Sequence, residues 1–517
     1  MANVRVLWID DEIDNLKPQI LFLEKKDYDI LKATNGYDGV ELCKTEKIDV
    51  VLLDESMPGM TGLETLTKIK EVNPALPVVM ITKNEAENIM EDAIGAQITD
   101  YLLKPVNPNQ ILLTLKKIME GRRLVSNATT SGYQQEFSKI FMDIQMGLDY
   151  EGWVDVYRKI VYWELELDNA NTQEMQEVLS MQKSEANKEF CKYVSRNYMK
   201  WIQSHDEGPT MSHNLMRDKI LPRLEKGKSN FMILIDNLRY DQWKVLKPII
   251  SEEFRFLDED YFYSILPTTT HYSRNAIFAG MTPYNIERRF PRLWKNDVEE
   301  GGKNLHEADF LEDLLDRTGN EKLKFSYTKI TNHRSGKELM DNIHNLLDND
   351  LNVIVYNFVD MLSHARTEME VLKELASDEA AYRSIAKSWF SYSPLWEALK
   401  KISEKDVRIA ITTDHGTIRV NTPKKVIGDR DTTTNLRYKH GRNLQYNSKE
   451  VYEVRNPIEA QLPRPNVSST FIFAKEDSYF VYPNNYNHYV NYYNNTFQHG
   501  GMSIQEMIVP VAWFGTK

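Results

Sequence analysis

Cysteine is almost missing from this chain. Two residues in 517, Cys43 and Cys191, cannot build a disulfide framework, which fits a reducing compartment. No apolar run approaches the roughly 20 residues of a membrane span. The opening MANVRVLWIDDE enters a strand pattern at once, without the basic, apolar and small-residue zones of a signal peptide. A cytoplasmic location is therefore expected. Positive charge is in deficit: 64 Lys and Arg against 76 Asp and Glu give a net charge of −12. That argues against an extended duplex-DNA contact, which needs a basic face. A small anionic substrate stays compatible, because bound divalent cations reverse the potential of an acidic pocket. Glycine and proline are absent from Trp153 to Glu207, so nothing there breaks a helix.

What is present divides the chain into three parts. Residues 1–122 alternate short apolar strands (VRVLWI, YDILKAT, DVVLLD, LPVVMIT, DYLLKP) with amphipathic stretches, the last of them helical from Asn109 to about Arg123. Five βα repeats predict a parallel, doubly wound sheet. A short linker, GRRLVSNATTSG, is expected over 121–132. Residues 123–227 lose the strand pattern, and Val154, Tyr157, Ile160 and Val161 recur at helical spacing, which predicts an all-α bundle acting as a spacer and dimer-supporting connector. From FMILID at 231–236 strands return (FYSIL, KFSYT, NVIVYNFVD, DVRIAITTD, STFIFA, MIVPVAWF), predicting an α/β/α sandwich over 228–517. The polar stretch from about Asn421 to Ser469 reads as a surface or active-site loop, and NYNHYVNYYNNTF at 485–497 is biased to Asn and Tyr.

Chemistry-bearing residues of the first part stand at strand ends. Asp10 and Asp11 follow the first strand and suit Mg²⁺, which prefers carboxylates and keeps several waters. Asp54 ends the third strand and can attack a phosphoryl donor as a carboxylate nucleophile. Thr82 and Lys104 end the fourth and fifth, placed to hydrogen-bond and to ion-pair with the new phosphoryl group. Open α/β sheets bind ligands at these carboxyl ends. The set resembles the response-regulator receiver domain, CheY-like, with Tyr101 at the switch-aromatic position. The resemblance implies transfer from a sensor histidine kinase to Asp54, followed by a Thr82/Tyr101 rearrangement that favours a homodimer.

A second set is spread over the last part: Asp236 ending FMILID, Thr270 in LPTTTHYS, Asp360 and His364 in NFVDMLSH, Asp414-His415-Gly416 in AITTDHG, and His499 in QHGG. Taken singly, Asp236 fits an Asx-turn, Asp360 a helix N-cap, and Asp-His-Gly a turn. Together, carboxylates and imidazoles that follow apolar strands are what a two-metal phosphoryl-transfer site requires. Their order resembles the alkaline phosphatase superfamily and its PglZ branch. That resemblance implies one Zn²⁺ held by Asp360, His364 and His499, and a second held by Asp236, Asp414, His415 and the nucleophile. Nitrogen and carboxylate ligands without thiolates suit zinc. Ser363 stands where many relatives have Gly, which leaves the ligand spacing intact. The Pro-Thr-x-Thr pattern of related nucleotide phosphodiesterases maps the attacking hydroxyl to Thr270, with Thr269 a lesser candidate. The Cys-x-Pro-x-Arg signature of sulfatases is absent. His271, Arg274 and Asn275 either touch substrate oxygens or pack and start a helix. Lys439, His440 and Arg442 either contact an anionic substrate or belong to a solvated loop.

The whole arrangement resembles the PorX-type response regulators of the type IX secretion system. That resemblance implies a role in regulating type IX secretion, and the likeness of Pro-Thr-Thr-Thr to the nucleotide-phosphodiesterase pattern implies a zinc-dependent phosphodiesterase acting on nucleotides or short or cyclic oligonucleotides. The alternative is a signalling adaptor that binds an extracytoplasmic-function sigma factor and secretion-motor components, with a structural or vestigial metal site.

Overall fold

The computed structural model describes residues 4–83, 98–170, 173–204, 207–357, 359, 378–429 and 432–517. They fall into two compact units, Met1–Ser131 and Gly132–Lys517.

The first unit holds five strands, β1 Val4–Ile9, β2 Tyr28–Ala33, β3 Val50–Asp54, β4 Val78–Thr82 and β5 Asp100–Leu103. They are parallel, in the order β2-β1-β3-β4-β5. β3 and β4 are buried along their whole length, as expected of parallel strands covered on both faces. Alternate residues feed two cores: Val6, Trp8, Val50 and Leu52 on one face, Leu7, Ile9, Val51 and Leu53 on the other. The order reverses between β1 and β3, so their carboxyl ends border the crevice where such sheets bind ligands.

The expected linker over 121–132 is not a loop. One helix, Pro108–Met146, runs through it. The segment contains no proline, and its two glycines each weaken a helix by only about 1 kcal/mol. Gly132 answers to packing rather than to a turn, since a Cβ there would lie 2.9 Å from the Trp163 ring.

The second unit is built on six strands: β6 Ser229–Ile235, β7 Phe254–Tyr263, β8 Phe325–Ile330, β9 Leu351–Tyr356, β10 Val407–Thr412 and β11 Ile508–Thr516. Their order is β7-β11-β10-β6-β9-β8. β10, β6, β9 and β8 are parallel, and β11 runs antiparallel to both its neighbours. β6 lies inside the sheet with all seven residues buried. Its carboxyl end therefore opens beside those of β9 and β10, which gathers the segments that begin at Asp236, Asn357 and Thr413.

The stretch 421–469 is not a plain loop. Tyr438–Gly441 and Val451–Val454 flank Thr470–Ala474 in a three-stranded antiparallel sheet, and Thr422–Lys425 pairs in parallel with Ser478–Val481. These strands are too short and too polar to show a period-two pattern. Their stability comes from Phe471 and Phe473, which are fully buried.

The middle helices Tyr150–Ala170 and Gln173–Gln203 are not a free-standing bundle, because they share one hydrophobic core with the six-stranded sheet. Phe190 and Trp201 pack on Tyr263 at ring-centroid distances of 6.2 and 5.7 Å. A buried ion cluster ties the same surfaces together. Arg383 Nη1 donates to Glu164 at 2.8 Å and to Asp241 at 2.9 Å, Lys183 reaches Glu164 at 2.7 Å, and Arg239 Nε holds Asp241 at 2.8 Å. Glu164, Asp241 and Glu379 approach one another closely enough to hold a cation, but the two guanidinium groups and the ammonium already neutralise them. No helix among the described residues is long and apolar enough to cross a membrane.

Candidate functional site

In the first unit, Asp10, Asp11 and Asp54 present carboxylate oxygens within 4.8 Å of one another. Lys104 Nζ lies 3.0 Å from Asp10 Oδ2 and 3.0 Å from Asp54 Oδ1. Burial pushes the Asp54 carboxyl above its ordinary range, and the nearby Asp10 adds to the effect against the pull of Lys104. Burial also opposes the Lys104 charge, but its bonds to Asp54 and Asp10 outweigh that and leave it raised. Three carboxylates facing one ammonium leave an excess of negative charge, the condition under which a hard divalent cation binds. Thr82 points its hydroxyl at Glu55, and Tyr101 is 42% exposed. The structure thus gathers the expected phosphoacceptor constellation, with the aromatic residue turned outward.

In the second unit the site lies at the carboxyl ends of β6 and β10. Asp236 follows β6 directly, and its N–H donates to Tyr356 O at 2.9 Å. Asp414 and His415 follow β10, and the three residues place ligand atoms within 4.8 Å of one another. Gly416 is required there, since a Cβ would lie 2.0 Å from the Gln505 carbonyl oxygen. Thr270 Oγ1 donates to Asp236 Oδ1 at 3.1 Å and lies 3.2 Å from His415 Nε2. His415 Nδ1 lies 3.0 Å from the Gly416 carbonyl oxygen, which assigns the proton to Nδ1 and leaves the Nε2 lone pair facing the site. The His499 ring stacks on His415 at 4.4 Å, with its Nδ1 3.3 Å from Thr268 O. Of the three threonines, Thr268 Oγ1 donates to Gly501 O at 2.8 Å and Thr269 Oγ1 is buried without a partner among the described residues. Thr270 is the one that meets the expected ligands.

The donor set suits a divalent cation on evidence internal to the site. Among the described residues Asp414 Oδ2 is buried without a hydrogen-bond partner, and the Arg274 guanidinium approaches it only to 3.9 Å, a costly state for a carboxylate oxygen that a closer cation would relieve. Two carboxylates, an imidazole nitrogen and a hydroxyl converge without a thiolate, which matches zinc. The expected ligands Asp360 and His364, with Ser363, lie outside the described residues, as does most of the amphipathic stretch between LPVVMIT and DYLLKP.

Arg274 lines the same cavity, but its guanidinium is already engaged. Nη1 donates to Asp236 Oδ2 at 2.8 Å and to Asn357 Oδ1 at 3.3 Å, and Nε to Glu307 Oε1 at 2.6 Å. Burial works against this charge, and the Glu307 and Asp236 carboxylates outweigh it, so the group stays far above its ordinary value. Asn275 is turned inward, donating to His271 O at 2.8 Å and Lys303 O at 3.0 Å. His271 stacks on Trp294 and its Nδ1 lies 3.0 Å from Asp297 Oδ1. Burial favours a neutral Asp297, yet its bonds with His271 and Tyr272 hold it below the usual carboxylate range.

Lys439, His440 and Arg442 do not reach the cavity wall. Lys439 donates to Thr433 O at 2.9 Å, burial pushing its ammonium down to about 7. His440 stacks on Phe471 at 4.0 Å, and Arg442 is exposed. The cavity itself has a volume of about 1090 Å³. Sequence reasoning missed Glu307, Asn304 and Asn435, which line it from a helix start and loops that carry no motif, and Asn357, which opens NFVDMLSH three residues before the expected ligand.

Residues 215–514 match the BREX system PglZ alkaline phosphatase-like domain, residues 123–202 the PorX response regulator linker domain, and residues 6–116 the response regulator receiver domain. Among curated proteins the chain is 38% identical over 122 residues to protein PilH of Pseudomonas aeruginosa, covering 23% of this chain and 98% of that protein. It is 30% identical over 137 residues to the transcriptional regulatory protein ZraR of Klebsiella oxytoca, covering 26% of this chain and 31% of that protein. A CheY-like receiver domain protein from Methanospirillum hungatei is similar at 28% identity, over 23% of this chain and 94% of that one, with a TM-score of 0.22. The PglZ match spans more than half of the chain and follows the receiver and the linker in sequence: the chain belongs to the PglZ family, as a PorX-type fusion of receiver, linker and PglZ domain.

Proposed function

We propose that this response regulator carries a zinc-dependent phosphodiesterase in its PglZ domain, under the control of phosphorylation at Asp54. The observation that carries the reading is the Thr270 hydroxyl, held 3.1 Å from Asp236 and 3.2 Å from His415 where the cavity opens. Thr270 Oγ attacks phosphorus while its proton passes to solvent, the ester P–O bond breaks, and the departing alkoxide takes up a proton from solvent. Water then attacks the threonyl phosphoryl group, and Thr270 recovers its hydrogen. Zinc held by Asp236, Asp414 and His415, and by His499 with Asp360 and His364, would lower the hydroxyl pKa and stabilise the phosphoryl charge. Arg274 keeps Asp236 in place. Nucleotides and short or cyclic oligonucleotides are the substrate class.

In the receiver, Mg²⁺ at Asp10, Asp11 and Asp54 would support transfer from a sensor histidine kinase. The phosphoryl group adds up to about two negative charges beside Lys104 and Thr82, enough to reorder that edge and favour a homodimer. A cytoplasmic role in regulating type IX secretion, through a sigma factor and motor components, is the context that goes with this reading.

The test is hydrolysis of bis(p-nitrophenyl) phosphate against p-nitrophenyl phosphate by zinc-loaded protein, with and without beryllofluoride. Diester cleavage that requires zinc, responds to beryllofluoride and is lost in Thr270→Ala and Thr270→Val is expected. Full activity in either variant would remove Thr270 from the reaction.

A further inference from the structure

The cavity is larger than a phosphoryl centre needs. Sites that enclose a drug-sized ligand hold roughly 300–1,000 Å³, and this one holds about 1090 Å³. Its cations are already committed. Lys329 is bonded to Asn304 O at 2.7 Å and to Glu307 at 2.9 Å, Lys303 to Asn296 O at 2.5 Å, and Arg274 to Asp236 and Glu307. The donors of these three groups are thus largely spent within the protein, which leaves recognition beyond the metal ligands to the other groups of the wall.

That wall is aromatic and amide-bearing. Tyr492 and Tyr493 line the cavity, at the end of the helix Tyr486–Tyr493, inside the Asn/Tyr-biased segment. The helix is anchored by Tyr486, Val490 and Tyr493 packing on the cluster of Ile418, Val420, Tyr479 and Val481, and by the Tyr479 hydroxyl donating to Val490 O at 2.9 Å. Tyr492 stands edge-on to Tyr493 at 4.9 Å and is not part of that cluster. Both rings thus border the cavity, Tyr493 anchored from behind and Tyr492 held between its edge contact with Tyr493 and a parallel His488 ring at 6.2 Å. Across the wall, both amide hydrogens of Asn304 are used, on Thr270 O and Asn275 Oδ1, each at 3.0 Å, so it offers a ligand only an acceptor. Asn435 Oδ1 accepts from Arg437 N and Tyr438 N at 2.7 and 3.2 Å, so it offers chiefly donors.

We propose that Tyr492, backed by Tyr493, is a stacking platform for a nucleobase of an oligonucleotide phosphodiester whose scissile phosphorus lies at Thr270, with Asn304 and Asn435 facing the base or sugar edge. The inference rests on the phosphodiesterase reading and names the part of the substrate beyond the phosphoryl group. A π-face accepts any base, so the subsite favours nucleotides over small diesters without reading sequence.

The test compares kcat/KM for thymidine 5′-(p-nitrophenyl) phosphate and methyl p-nitrophenyl phosphate, which differ only in the nucleoside. It is paired with calorimetric binding of a dithymidine phosphorothioate. Wild type should prefer the nucleoside ester. Tyr492→Ala should lower that preference, and weaken phosphorothioate binding, by about 5- to 150-fold, and Tyr492→Phe should restore both. An unchanged ratio in a folded Tyr492→Ala/Tyr493→Ala double variant overturns the platform. Absence of turnover of both esters by zinc-loaded wild type overturns the phosphodiesterase reading alone. Binding then decides the platform: a loss in Tyr492→Ala that Tyr492→Phe recovers upholds it, and no binding to wild type or equal binding to the variant removes it.

Discussion

Arg274→Met keeps most of the side-chain volume and deletes the charge at the centre of the site. The arginine is 1% exposed and bridges Asp236 and Glu307. Removing one partner of a buried ion pair costs about 3–5 kcal/mol, because the other is left uncompensated. The two carboxylates do not suffer equally. Glu307 keeps Lys329 at 2.9 Å and the Tyr327 hydroxyl. Asp236 keeps the Thr270 hydroxyl on Oδ1 and loses the guanidinium on Oδ2. Asp414 Oδ2, 3.9 Å from the guanidinium, loses it as well, so the loss is at least about 3 kcal/mol, which for a unit this large lowers Tm by about 4 °C or more. The assay is thermal denaturation of EDTA-treated wild type and variant, followed by zinc addition, which should return part of the loss by placing a cation against Asp236. A change below about 1 °C in the metal-free protein would refute the reasoning. If it came with a raised KM, Arg274 would be a substrate contact rather than a brace.

Two further outcomes are expected. Gly416→Ala must displace the backbone at Gln505, whose carbonyl oxygen would lie 2.0 Å from the new Cβ; a loss of more than about 4 kcal/mol in thermal unfolding is expected, and near-wild-type stability would show that the turn has room. Lys439 has a folded pKa depressed to about 7 by burial, so its penalty is full below pH 7 and shrinks as pH rises toward the unfolded value near 10.4. Lys439→Met should therefore gain about 5 kcal/mol at pH 6 and about 2 kcal/mol at pH 9, and a gain that does not fall with pH in chemical denaturation would contradict this.

Both sheets were legible because parallel strands announce themselves. VVLLD, VVMIT and FMILI are continuous apolar runs, buried on both faces as such runs should be. The residues at their carboxyl ends, Asp54, Thr82, Asp236 and Asp414, were legible for the same reason. The rest of the site was not. Glu307 begins a helix and Asn304 sits in the loop before it, and nothing local separates them from solvated polar residues. Arg274 carried two readings, and only the distance to Asp236 decides that its guanidinium braces a carboxylate. The helix through 121–132 escaped notice because Gly132 looks like a break in the sequence and is a close contact with Trp163 in three dimensions.

The long middle helix Gln173–Gln203 is fastened to the PglZ domain at several points along its length, Cys191 and Gln203 among them, and two of the anchors hold backbone N–H groups near the site. Asn187 Oδ1 accepts from Ile504 N at 2.8 Å, and the Tyr198 hydroxyl accepts from Leu266 N at 2.8 Å, one residue before the Pro-Thr-Thr-Thr segment that carries Thr270. On a helix these anchors lie about 16 Å apart along the axis. Losing one residue between them would turn one anchor about 100° away from its partner. The stretch therefore behaves as a gauge of set length and phase, and deletions there should be felt at the nucleophile.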